Sequence, residues 1–171
     1  VVARGTPVIL VLSRESELDD AASKEALSHV AFLRQGVLEF AGPWPDFTAW
    51  RRRSRTPGAT PSGNSETPTS IPEWHDRAPV PDGPLVEMRG VSVSYGTKPV
   101  LRDVTWTART GESWHIIGPN GAGKTTLLSM ITGSNPKAYG QEISLFGRRR
   151  GSGESVWEIK ERIGLVSGDF H

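Results

Sequence analysis

The 171 residues contain no cysteine. That removes disulfides, thiolate metal sites and thiol nucleophiles together, and it suits a reducing compartment. An excess of one charge is missing as well: twenty basic residues stand against nineteen acidic ones, for a net charge of +1. No global field points to nucleic acid, to an anionic membrane or to an acidic partner, so any such partner has to be argued from local clusters. The four histidines, His29, His75, His115 and His171, show no metal-ligand spacing. No apolar run approaches the roughly 20 residues that cross a bilayer, and the N-terminus lacks the pattern of a signal peptide, so the chain reads as soluble.

What is present falls into three segments. The first, residues 1 to 53, opens with the apolar run "PVILVL", which reads as a strand buried on both faces of a parallel sheet. The polar stretch "SELDDAASKEALS" is compatible with a helix, and "HVAFLRQGVLEFAG" reads as a hairpin turning at Arg34, Gln35 and Gly36. A segment this short is too small for a dependable core of its own and is expected to need packing partners. Residues 54 to 83 change character. Pro57, Pro61, Pro68, Pro72, Pro79 and Pro81 punctuate Gly, Ser, Thr and Asn, with Trp74 as an isolated aromatic. Such a composition buries too little apolar surface to offset its ordering entropy, so a flexible, disordered linker is expected.

The third segment, residues 84 to 171, alternates strand and helix signals. "LVEMRGVSVSYG" and "VTWTART" alternate like half-solvated strands, while "SWHII" and "IGLVS" look like inner strands. "GKTTLLSMITG" has helical spacing with Gly133 as a stop, and "SVWEIKER" has it more weakly. The order implies a βαβ-containing α/β domain with an antiparallel part in front.

Between "SWHII" and the first of these helices lies Gly118-Pro119-Asn120-Gly121-Ala122-Gly123-Lys124-Thr125, a G-x-x-x-x-G-K-[ST] sequence in the strand-to-helix setting that a phosphate-binding P-loop requires. Each residue type has a task there. The glycines let successive backbone N–H groups converge on phosphate oxygens. Lys124 supplies a mobile charge for the β- and γ-phosphates, and Thr125 a hydroxyl where Mg²⁺ bridges them. The helix that starts near Lys124 aims its N-terminal dipole at the same anion.

A P-loop alone does not name a reaction, but its flanks narrow the choice. "VSVSYGTKPVLRDVTWTARTGESWHIIGPNGAGKTTLLSMITG" resembles the nucleotide-binding domain of ATP-binding-cassette (ABC) proteins throughout. The resemblance implies a P-loop NTPase core with an antiparallel β subdomain. It also implies that ATP and Mg²⁺ are bound by Gly118, Asn120, Gly121, Ala122, Gly123, Lys124, Thr125 and Thr126, with Thr125 on the metal and Tyr95 of "SYG" stacked on adenine. The wording of "ISLFGRRRGSGESVWEIKERIGLVS" looks most like tandem, soluble proteins of the photorepair or molybdate type. Where that family places a glutamine, this chain has Gly168, with Asp169 beside it. "PVILVLSRESELDD…HVAFLRQGVLEFAGP" resembles the last part of an ABC domain, with Ser13 where the family's γ-phosphate histidine would stand.

The chain thus looks like a fragment: the end of a first ABC domain, a linker, and an incomplete second ABC domain with its Walker A sequence. No "LSGGQ"-type signature and no Walker B strand ending in Asp-Glu occurs in it. The resemblance therefore implies that no catalytic residue is present, that ATP is bound here, and that hydrolysis belongs to the complete two-domain protein. The expected partner is the remainder of the ABC dimer, which would supply the signature motif. A separate membrane subunit is a further partner that the family allows, direct membrane insertion is not expected, and the expected place is the cytoplasm, with the mitochondrial matrix as the alternative. Two other readings stay open: a non-catalytic nucleotide-binding or interaction module, and a P-loop kinase acting on a small molecule. The triplets Arg51–Arg53 and Arg148–Arg150 read as phosphate contacts or as solvated loop ends; without interleaved aromatics the second is favoured and nucleic acid is not expected.

Overall fold

The computed structural model describes residues 8–11, 28–54, 83–153 and 155–163. The core of the linker with Trp74, nearly all of the polar stretch after "PVILVL", the run "GLVS", and the positions Ser13, Gly168 and Asp169 lie outside the described residues. The elements are β1 (Val8–Val11), β2 (His29–Arg34), β3 (Val37–Pro43), α1 (Trp44–Ser54), β4 (Pro84–Tyr95), β5 (Lys98–Arg109), β6 (Ser113–Ile117), α2 (Lys124–Ile131), β7 (Glu142–Leu145), β8 (Arg148–Arg149) and α3 (Val156–Glu161). A 3-10 turn spans Pro136–Ala138. The class is mixed α/β, with one largely parallel sheet and one antiparallel sheet.

The first sheet has the order β1-β6-β2-β3. Its β6, from the third segment, lies between two strands from the first and runs parallel to both. Ile9 faces Trp114 and Val11 faces Ile116 on one side; Val30 faces His115 and Phe32 faces Ile117 on the other. The short first segment thus finds its packing partner in the strand that leads into the P-loop. The second sheet, β5-β4-β7-β8, is antiparallel throughout.

Alternation along the strands sends side chains to two cores. Ala31, Leu33, Trp114 and Ile116 point to the larger core, which they share with Met88, Val91, Leu101 and Val104 of the second sheet and Leu127 and Met130 of α2. Each such fully buried aliphatic side chain stabilises the fold by about 1.5–3 kcal/mol. Val30, Phe32 and Ile117 point the other way and meet Phe47 of α1.

Helix α1 was not read from the sequence, although its signals are there. Pro45 and Asp46 stand in the first turn and Arg51, Arg52 and Arg53 in the last, which suits the helix dipole at both ends. Trp44, Phe47 and Trp50 form its inner face: Phe47 and Trp50 each meet Phe32 and Phe40 in tilted contacts at ring-centroid distances of 5.4 to 6.2 Å, and Trp44 packs on Phe47 at 5.9 Å. The first arginine triplet is therefore the end of a helix, and Arg52 Nε donates to Thr48 O at 3.3 Å. The second triplet is divided: Arg148 and Arg149 are exposed on β8, whereas Arg150 is buried with its guanidinium over the Tyr139 ring.

His115, on the α1 side of β6, is 1% exposed, and among the described residues neither ring nitrogen has a hydrogen-bond partner. Burial pushes its pKa down from 6.5 to about 4, so the folded protein holds it neutral. The unfolded chain takes up a proton once the pH drops below 6.5, while the folded chain does not until about 4. The stability present above pH 6.5 is accordingly lost as pH falls across that window, by up to about 1.4 kcal/mol per pH unit. His115→Leu should remove this component. Urea unfolding of both proteins at several pH values checks it, and equal losses in the two would contradict it.

Candidate functional site

Strand β6 ends at Ile117 and the chain turns at once into the P-loop. At Gly118, with φ of 151°, a Cβ would run into the Leu33 carbonyl of β2. At Gly123 a Cβ would lie 2.8 Å from Val100 O and 2.9 Å from Leu101 Cδ2. These two glycines are therefore demanded by packing against the hairpin and β5. Gly121 differs: it is exposed, with nothing within 4 Å of the place a Cβ would take, so its open side is available to a ligand. Packing thus accounts for two glycines of the motif and not for the third.

The hairpin turn braces the loop from behind. Gly36 N–H donates to Ala122 O at 3.0 Å, and Gly36 O accepts from Arg102 N–H at 2.8 Å, so the turn is pinned between the P-loop and β5. Gly36 has φ of 81°, and a Cβ there would strike the Val100 carbonyl. Within the loop, Ala122 N–H turns inward onto Pro119 O at 3.1 Å.

Helix α2 begins at Lys124. Its N-cap, Gly123, provides no side-chain cap and its first turn holds no acidic residue, so the positive end of the dipole is not neutralised by its own side chains. Lys124 is buried, and Nζ donates to Gly118 O at 2.6 Å and Pro119 O at 3.1 Å. The ammonium is thus folded back on the loop's own carbonyls. Thr125 is exposed and Thr126 half-buried at the start of the same helix. Asn120 is exposed beside Gly121.

Tyr95, at the end of β4, is 48% exposed. Its hydroxyl accepts from Asn135 Nδ2 at 2.8 Å, and Lys137 Nζ lies over its ring, 5.5 Å from the centroid. Asn135 was not singled out in the sequence. It also donates to Ser129 Oγ at 3.1 Å, and Ser129 Oγ donates to Thr126 O at 2.7 Å. A chain of hydrogen bonds therefore connects Tyr95 to the first turn of the P-loop helix. The signal for Asn135 was the dipeptide Asn135-Pro136, which marks a turn but says nothing of its partner.

The arrangement fits a nucleoside triphosphate: an open loop of backbone, a lysine ammonium, an uncapped helix start and an exposed aromatic tied to that helix. For the metal, the described residues hold no cluster of His, Asp or Glu, and the donor offered is the Thr125 hydroxyl.

Residues 101–171 match the family model described as ABC transporter. Over these residues the chain is similar to ABC transporter ATP-binding proteins. It is 50% identical over 88 residues to the ABC transporter ATP-binding protein ModF of Escherichia coli, covering 52% of this chain and 18% of that protein. It is 30% identical over 166 residues to an uncharacterized ABC transporter ATP-binding protein, C323.04, of Schizosaccharomyces pombe, covering 96% of this chain and 31% of that protein. It is 48% identical over 81 residues to the manganese transport system ATP-binding protein MntB of Bacillus subtilis, covering 47% of this chain and 30% of that protein. The chain thus spans less than a third of the length of each of these ABC relatives. No solved structure matches it. Among the described residues no helix is long and apolar enough to cross a membrane.

Proposed function

We propose that this chain binds MgATP through Gly118, Asn120, Gly121, Ala122, Gly123, Lys124, Thr125 and Thr126, with the Tyr95 ring beneath adenine. The observation that carries the reading is the P-loop itself, with Gly121 open, Lys124 poised on the loop and α2 uncapped behind it. Lys124 swings from the loop carbonyls to the phosphates, exchanging one set of acceptors for a more strongly charged one. Thr125 would hold Mg²⁺, which when bound neutralises charge on the β- and γ-phosphates.

In the complete protein, we take residues 1–53 as the tail of a first ABC domain, 54–83 as a linker, and 84–171 as the front of a second. A match along 166 residues with one longer relative supports that order. On this reading β1, β2 and β3 are seated on the P-loop strand where the tail of an ABC domain belongs. Hydrolysis requires the signature motif of a partner domain, and a membrane subunit is a further partner that transport would demand. A site built for ATP works where the cell keeps ATP, which favours the cytoplasm.

Calorimetric titration and steady-state turnover test this together. The 171-residue chain should bind MgATP at one site without turning it over, whereas the complete protein should hydrolyse it. No saturable binding by the chain would overturn the first statement. Turnover by the chain alone, lost in Lys124→Ala, would overturn the second.

A further inference from the structure

We propose that Asn135 is a positioning residue for adenine, holding the Tyr95 ring at a fixed place relative to the phosphate cradle. The inference rests on Tyr95 being the base platform. Asn135 is 5% exposed, and all three of its side-chain bonds are directed. Lys137 N–H donates to Oδ1 at 3.1 Å, which settles the amide's orientation and leaves Nδ2 to face Tyr95 and Ser129. Its own N–H donates to Ser129 O at 3.1 Å, so backbone and side chain both grip α2.

A tyrosine at the end of a strand would otherwise sample several rotamers, and a half-exposed ring loses entropy when a base stacks on it. The bond from Asn135 removes that freedom beforehand. Because Ser129 Oγ donates onward to Thr126 O, the ring is referred to the same helical turn that follows Lys124 and Thr125. The distance between base platform and phosphate site is thus set by one buried amide. Lys137 stands over one face of the ring, so the base takes the other.

The test compares a probe with a base and one without. MgATP and magnesium tripolyphosphate are titrated into the full chain carrying Tyr95→Phe, Asn135→Ala, both, or Tyr95→Ala. Tyr95→Phe keeps the ring and loses only the anchor, so it should weaken MgATP about fivefold and leave tripolyphosphate unchanged. Asn135→Ala should weaken MgATP at least as much, and adding Tyr95→Phe to it should have no further effect. Wild-type MgATP affinity in Tyr95→Phe would overturn the proposal even if Asn135→Ala failed to fold. Parallel weakening of both probes in Asn135→Ala would overturn it too, since a merely structural role moves both. If Tyr95→Ala leaves the ratio of the two affinities at the wild-type value, the platform reading itself has failed.

Discussion

Gly118→Ala is expected to destabilise the fold by about 3 kcal/mol or more and to abolish nucleotide binding. The added methyl has nowhere to go: it meets the Leu33 carbonyl on one side and Ala122 Cβ at 3.3 Å on the other. Neither neighbour is the far end of a flexible side chain, so relief requires β2 to part from β6. That pairing joins the two segments of the chain through Ala31 opposite Ile116 and Phe32 opposite Ile117. The contrast is Gly121→Ala, whose methyl points into open space. Its positive φ costs about 1 kcal/mol, so the loss of stability should be about a third of that in Gly118→Ala, and the methyl on the loop's open side should lower nucleotide affinity. Urea unfolding and nucleotide titration on both variants check the pair. A Gly118→Ala protein as stable as wild type would contradict the packing account.

Lys124→Ala is expected to lower MgATP affinity by about a hundredfold, the effect of removing charge-assisted bonds to phosphate. Urea unfolding follows its effect on folding separately, because the change also removes the buried bond to Gly118 O and the bond to Pro119 O. Lys124→Arg keeps the charge but not the shape, and a planar guanidinium does not follow the same path between loop and phosphates. It should recover only part of the affinity. A fluorescent-nucleotide titration measures all three proteins, and unchanged affinity in Lys124→Ala would remove the phosphate site from this loop.

Local chemistry made much of the fold legible. The hairpin β2–β3 followed from two apolar runs about Gln35 and Gly36, and both turn residues have positive φ. The path from β6 through the P-loop into α2 followed from a motif whose residue types each have a physical task. Gly133, read as a stop, has φ of 72° just past the helix. What the sequence did not disclose was long-range. Nothing in "SWHII" says that it lies between β1 and β2, since pairing across a linker is set by which sheet edges are available and not by local pattern. Helix α1 was hidden for a different reason: its apolar residues are tryptophans and phenylalanines beside prolines, a composition that also suits a turn. The role of Asn135 was illegible because its partners, Tyr95 and Ser129, are brought to it by the fold. Arg150 likewise looked like its two neighbours, and only the return of the chain from β8 buries it against Tyr139.

The most direct test of the central claim, that this P-loop and Tyr95 hold MgATP, is residue-resolved amide hydrogen exchange of the 171-residue chain with and without saturating MgATP. The account predicts slowed exchange concentrated in residues 118–126, with a second protected point at Tyr95. Saturable binding that protects amides elsewhere and leaves 118–126 unchanged would contradict it.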